Sequence, residues 1–234
     1  DGLAAFEPAF ADELAVILEW AFDYLQRDGE GDKGGLGSVD ERTWLRDETG
    51  GSVYLRLSTN PIEQPGRRVD DAFRQGAVDG AYWLRQPGPN CEAVLAYQGV
   101  VAPEAIAAAG MLAEARADIG VLAVTSADRL NAGWTAAQRA RARGQAEAMA
   151  HVERLLGPLP AHCTLITVID GHPATLAWLG AVAGHRTIPL GVEHFGQTGT
   201  IEELYAHYGI DRRSIALAAE RLTPGKRIRP GTAA

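Results

Sequence analysis

The sequence predicts an α/β sandwich on a mostly parallel sheet. Three observations carry that reading. From residue 75 onward, short apolar runs alternate with helix-period segments, the pattern of strands joined by helical crossovers. The run Val121-Leu122-Ala123-Val124 has no polar alternation, as expected of a strand buried on both faces. The roughly 160 residues of this part also suffice for one such core.

The elements follow in order. Residues 8–25 read as a helix because Phe10, Leu14, Ile17, Leu18, Ala21 and Leu25 recur at three- and four-residue steps. Pro8 suits the first helical position, and Asp12 and Glu13 place negative charge in the first turn. Residues 26–51 hold many glycines, seven acidic residues and four basic ones, and read as a mobile surface excursion. Ser52–Ser58 alternates Val53, Leu55 and Leu57 with Tyr54 and Arg56, so it reads as a strand that Thr59, Asn60 and Pro61 end. Residues 61–75, with Pro61, Pro65 and Gly66, read as a linker between a first part (1–60) and a domain over 76–234.

Within that domain Gly80–Arg85 and Glu92–Tyr97 are strands, then 103–117 a helix with Pro103 near its start. Val121–Thr125 is a strand and about 136–156 a helix, for which Thr135 and Gln138 have capping-box spacing. Thr164–Ile169 is a strand, 174–183 a short helix, Thr187–Val192 a strand and 201–208 a helix. Thr200 and Glu203 give that helix a second capping box, and Gly209 stops it. Asp211 can cap a last helix to about Leu222, which Pro224 forbids from continuing.

Composition narrows the function. The chain has 234 residues, 46% hydrophobic and 22% charged, with a formal net charge of −8. That is ordinary for a folded protein, and no run reaches the roughly 20 apolar residues of a membrane span. No basic segment followed by an apolar one opens the chain, so no secretory signal is read. The acidic balance argues against nucleic acid or an anionic membrane as main partner. Two cysteines make no disulfide framework and favour a reducing compartment, so a cytoplasmic location is expected. Asp1 stands directly before an amphipathic segment with no Met, which leads us to expect a piece of a longer protein.

Candidate chemistry is sparse. Gly29, Gly31 and Gly34 match G-x-G-x-x-G, but a helix precedes them and Glu30 and Asp32 would repel phosphate, so a loop is read. Gly99 ends a strand before a helix, where open α/β sheets often bind ligands, but a single glycine there reads as a turn that needs no side chain. His162 and Cys163 are adjacent and so face opposite ways on a strand; a buried, inert Cys163 is favoured over a catalytic pair. Asp170 and His172 at a strand end read as a turn before a helix. In His194–Thr200, Phe195 is expected to anchor the loop in the core, and the loop is either a recognition element or a packed connector. Arg139, Arg141 and Arg143 read as a solvated face, and Arg212, Arg213, Arg221, Lys226, Arg227 and Arg229 as a basic C-terminus. The tryptophans read mostly as core or interface residues.

Several segments together resemble the thiamine-diphosphate-dependent transketolase superfamily, most closely the homodimeric E1 components of pyruvate dehydrogenase complexes. Phe6-Glu7-Pro8-Ala9-Phe10-Ala11-Asp12-Glu13-Leu14-Ala15-Val16-Ile17 is similar to a segment late in their pyrimidine-binding domain. Gly76, Gly80, Tyr82 and Leu84 resemble the opening of their C-terminal domain, and Val124-Thr125-Ser126 a V-T-S element. Phe195-Gly196 through Tyr208-Gly209-Ile210-Asp211 resembles the closing loop and helix. The resemblance covers nearly the whole chain, in order. It implies that 1–60 is the tail of a pyrimidine-binding domain, and that the rest is a three-layer α/β/α domain on a mixed five-stranded sheet. It also implies an oxidoreductase parent that uses thiamine diphosphate and Mg²⁺, a homodimer, and a dihydrolipoyl acyltransferase (E2) partner.

The departures bear on activity. The cofactor motif G-D-G…N-N does not occur in this sequence. The family's activating glutamate and histidine loops belong upstream of the matched segments. The resemblance therefore implies no catalytic, cofactor-binding or metal-binding residue here, only an active-site rim at Thr59 and Asn60, and a chain inactive alone. Transketolases end the equivalent strand with L-S-R-Q, whose arginine grips sugar phosphate; here it reads Leu57-Ser58-Thr59-Asn60. That favours a 2-oxo acid enzyme over a sugar-phosphate transketolase. A transketolase parent, or a non-catalytic docking module, is the alternative.

Overall fold

A computed structural model describes residues 2–27, 50–114 and 118–222. In chain order the elements are β1 (Leu3–Phe6), α1 (Ala11–Leu25), β2 (Ser52–Leu55), α2 (Asp71–Asp79), β3 (Ala81–Arg85), β4 (Ala93–Gln98), α3 (Ala102–Ala113), β5 (Gly120–Val124), α4 (Ala127–Ala142), α5 (His151–Leu156), β6 (Thr164–Ile169), α6 (Ala174–Ala177), α7 (Leu179–Ala183), β7 (Arg186–Leu190), α8 (Ile201–Tyr208) and α9 (Arg212–Leu222). They fall into two compact units, Asp1–Tyr82 with Val124–Gly157, and Trp83–Ala123 with Pro158–Ala234. The Gly29–Gly34 string, most of the acidic excursion, Trp44, Pro224 and the basic residues Lys226, Arg227 and Arg229 lie outside the described residues.

In the first unit β1 and β2 form a parallel pair, Leu3 opposite Ser52 through Phe6 opposite Leu55. Sequence reading gave β1 no strand, because four residues are too few to show a period. What makes it a strand is its pairing with β2. Ala4, Phe6, Ile17 and Tyr24 form the core beneath the pair, with Trp20, Val53 and Leu55 packed against it. Trp20 stacks on Tyr24 at 4.6 Å and meets Phe6 edge-on at 5.5 Å. Helix α1 begins at Ala11 rather than at Pro8, since Phe10 is still extended and serves as N-cap. Helix α2 begins at Asp71, inside the segment read as a linker, where the Asp70 carboxylate accepts from the Phe73 N–H at 2.9 Å.

The predicted 136–156 helix is in fact two helices, and its first turn lies earlier than expected. Ser126, two residues after the end of β5, accepts from the Arg129 N–H at 3.1 Å and so starts α4, leaving Thr135 inside the helix with no box to form. The chain then breaks after α4 and resumes at α5. Arg141 spans the break, donating to the Ala148 carbonyl at 2.6 Å and to both carboxylate oxygens of Glu153 at 3.0 and 2.7 Å. Arg141 is thus paired rather than part of a solvated face.

The five-stranded sheet has the order β3-β5-β4-β6-β7, mixed and mostly parallel. Strands β4–β6 and β6–β7 are parallel, Ala93 opposite Thr164 and Thr164 opposite Arg186. Every residue of β4, β5 and β6 is buried, so these strands are covered on both faces, as the unbroken apolar run of β5 predicts; β4 and β6 also bury the polar Gln98, Thr164 and Thr167. Strand β7 is terminal in the sheet, which accommodates Pro189 and its missing N–H. Helix α3 offers Ala105, Ala108, Ala109 and Leu112 to the interior and packs on α9, which buries Ile215, Ala216 and Ala219. The 174–183 segment is two short helices, α6 and α7, closed by Gly184 at φ 77°. The Thr200–Glu203 capping box and the Asp211 cap form as predicted. Among the described residues no helix is long and apolar enough to cross a membrane.

Candidate functional site

The carboxyl ends of parallel strands are where α/β sheets place ligand-facing groups. At that end of the β1–β2 pair, Glu7 follows Phe6 and Arg56 follows Leu55, and their side chains form an ion pair. The Arg56 N–H also donates to the Phe6 carbonyl at 2.9 Å, so the ladder continues one residue past β2. Thr59 and Asn60 lie just beyond. Thr59 is exposed and Asn60 half-buried, with the Asn60 N–H held by the Ser58 hydroxyl at 3.0 Å.

Behind this end sits a denser cluster, which sequence reading missed. Arg67 donates to both carboxylate oxygens of Asp12, at 2.6 and 2.5 Å, in a bidentate pair. It also donates to the Tyr82 hydroxyl, which in turn donates to Glu13. The rings of Phe73, Tyr82 and Phe10 surround the guanidinium at 4.4, 5.0 and 5.2 Å, each a cation–π contact. Glu13 is 1% exposed and reaches back to the N–H groups of Ala9 and Phe10 at 2.6 and 3.0 Å, which closes the first turn of α1. Two carboxylates share one guanidinium here. Burial therefore pushes the Glu13 carboxyl above the usual range, against the pull of the Tyr82 hydroxyl, the Phe10 N–H, Arg67 and the Ala9 N–H. The acceptor atoms of Glu13 and Asp12 point into this network. The cluster can fix α1, the 61–70 segment and the start of β3 in one arrangement; it has the character of a positioning device rather than a reacting group. The available signal was a bare arginine after Pro65-Gly66, which has no period.

A second cation is buried nearby. Arg129 is 5% exposed, lies over Trp20 at 4.6 Å and donates to the Val78 carbonyl at 2.7 Å. Ser126 donates to the Ala5 carbonyl at 2.5 Å, and the Glu7 N–H to the Thr125 carbonyl at 2.7 Å. The V-T-S element thus bonds directly to β1 and the residue after it.

In the second unit Gly99 has φ 70°, a conformation that suits glycine at the end of β4. His172 is exposed and accepts from the Ala174 N–H at 3.3 Å, in keeping with a turn into α6. His162 is exposed while Cys163 is buried, so the two form no catalytic pair. Phe195 does not anchor its loop. It is 100% exposed, because the loop is held instead at its base, where Tyr208 donates to the His194 carbonyl at 2.5 Å and Thr200 caps α8. Trp83, Trp134 and Trp178 are half-buried.

Among the described residues no group of three or more His, Cys, Asp or Glu could hold a metal ion. The paired carboxylates Glu7 and Asp12 are engaged by arginine, and Glu13 by a hydroxyl and two N–H groups. These residues do not fit the metal-bridged diphosphate of thiamine diphosphate.

A family model of the transketolase-like TK C-terminal domain matches residues 80–211, more than half of the chain. The chain belongs to the transketolase-like C-terminal domain family. Its enzymes depend on thiamine diphosphate. Transketolase from Leishmania mexicana superposes with TM-score 0.63 at 15% identity, over 94% of this chain and 25% of that one. A transketolase mutant from Pichia stipitis gives 0.60 at 15%, over 94% and 25%. A split-gene transketolase described as an inactive β4 tetramer gives 0.54 at 17%, over 94% and 57%. At these identities the likeness is one of fold. The chain spans about a quarter of the length of the full transketolases it matches. No curated protein matches it in sequence.

Proposed function

We propose that this chain is the C-terminal part of a thiamine-diphosphate-dependent 2-oxo acid dehydrogenase, an E1 component of the pyruvate dehydrogenase type. In this reading it supplies assembly contacts and part of the active-site rim through Thr59 and Asn60, while the cofactor and the reacting residues belong to another part of the enzyme. One observation carries the choice of substrate: Leu57-Ser58-Thr59-Asn60 follows β2 where sugar-phosphate transketolases have an arginine. Without that cation the strand end has less to offer a phosphate.

The β1–β2 pair, buried on one face and open on the other, supports the reading of a part. Parallel strands are ordinarily covered on both faces, and two strands alone are marginal. Yet Leu3, Tyr54 and Leu57 are more than half exposed. Further strands and helices of a pyrimidine-binding domain would cover them. A homodimer and an acyltransferase partner belong to the same proposal.

The sugar-phosphate reading has its own support, since the solved structures named above are transketolases. The test of the shared premise is to assay the chain alone with pyruvate, Mg²⁺, thiamine diphosphate and an artificial electron acceptor. No turnover is expected; robust turnover would mean that the reacting residues are in this chain.

A further inference from the structure

We propose that Cys91 and Cys163 are a reversible redox pair that closes to an intrachain disulfide when a small hydroperoxide reaches it. Both are free thiols, 0% and 1% exposed, and their sulfurs lie 3.8 Å apart. Each stands just before a strand. Cys91 stands two residues before the start of β4, Cys163 directly precedes β6, and these strands pair with Ala93 opposite Thr164. The Thr164 N–H donates to the Glu92 carbonyl at 3.0 Å, which pins the two segments together at that level. The β4–β6 register continues to Glu92 opposite Cys163, so the cysteines are diagonal neighbours; a spacing of about 4.8 Å between strands with a one-residue offset of about 3.3 Å gives roughly 5–6 Å, inside the roughly 4.4–6.8 Å range of Cα separations across disulfides. Bond formation therefore needs side-chain rotation, not a rearranged sheet.

The two thiols are unequal. Cys163 donates its S–H to the Cys91 sulfur, and Cys91 is directed at the Ala93 carbonyl. That hydrogen bond lowers the Cys91 pKa against the opposing effects of burial and Asp118, helped by the Gly120 and Ala93 backbone, while the same bond and burial raise that of Cys163. Cys91 is accordingly the attacking sulfur. Its thiolate takes the distal oxygen of the hydroperoxide, the O–O bond breaks, and Cys91 becomes a sulfenic acid while the other oxygen leaves as water or alcohol. The Cys163 sulfur then attacks the Cys91 sulfur. The S–O bond breaks, the S–S bond forms, and the Cys163 proton leaves with the hydroxide as water. Two thiols lose two electrons in total, and one hydroperoxide gains them.

The test uses the full chain, purified with dithiothreitol and then freed of it. After hydrogen peroxide, thiols titrated in denaturant should fall from two per chain to none, with a tryptic peptide linking Cys91 to Cys163 and full recovery on reduction. Oxidation should raise Tm by roughly 5–10 °C, since the bridge closes a long loop of the unfolded chain. In Cys163→Ala the Cys91 sulfenic acid should persist and be trapped by dimedone. Two thiols still free after oxidation, or over-oxidised Cys91 with no linked peptide, would overturn the proposal.

Discussion

The Tyr82 hydroxyl donates a hydrogen bond to the Glu13 carboxylate, joining residues 69 apart in sequence. That bond is the centre of a chain running from Asp12 through Arg67 and Tyr82 to the first turn of α1. Removing either end strands buried polar atoms. Tyr82→Phe should cost about 1–2 kcal/mol and Glu13→Ala about 3 kcal/mol, measured by denaturant unfolding. The double variant should cost less than the sum by at least ~0.5 kcal/mol. Strict additivity would show that the two side chains do not meet.

Stability should respond to pH with opposite signs at two glutamates. Burial raises the Glu13 pKa, so between its ordinary value of 4.5 and the folded value the native chain holds a proton that the unfolded chain loses. Its contribution to stability therefore falls as pH rises. Glu13→Gln should gain Tm relative to the parent as pH goes from about 4 to about 7. The Arg141 hydrogen bond lowers the Glu153 pKa, so its stabilisation is present above 4.5 and lost on acidification. Glu153→Gln should lose Tm relative to the parent over the same rise. Parallel pH profiles for both variants and the parent would refute these assignments.

Ser126, not Thr135, starts α4. Ser126→Ala removes a cap and the bond to the Ala5 carbonyl, and should cost about 1–2 kcal/mol in thermal or denaturant unfolding. Thr135→Ala at a helix-interior position should stay within about 0.5 kcal/mol. Equal losses would restore Thr135 as the cap.

Phe195 is wholly exposed, so Phe195→Ser should leave stability within about 0.5 kcal/mol of the parent. A core anchor would instead cost about 3–5 kcal/mol on truncation. Differential scanning calorimetry of the two chains separates these values.

What could be read from the sequence was what repeats locally. The unbroken apolar run of β5 and the Thr200–Glu203 spacing each express one physical rule within a few residues, and both hold. Strand β1 could not be read, because its partner lies 49 residues along the chain and four residues show no period. Arg67 was hidden for a related reason. A Pro-Gly-rich setting looks like exposed linker, whereas three aromatic rings and two carboxylates from other elements decide its burial. Phe195 shows the converse: an aromatic residue just before Gly196 suggests a buried anchor, but the loop is held by a tyrosine hydroxyl and a helix cap instead. At the strand end, the rim role of Thr59 and Asn60 is proposed from resemblance alone, and the Glu7–Arg56 pair shows only through the pairing of β1 with β2.

The most direct measurement is of substrate choice in the assembled enzyme, with this chain joined to or co-expressed with the polypeptide that binds thiamine diphosphate. Pyruvate-dependent reduction of an artificial electron acceptor should proceed, and ketol transfer between sugar phosphates should not. Ketol transfer without pyruvate oxidation would contradict the 2-oxo acid reading and establish a transketolase.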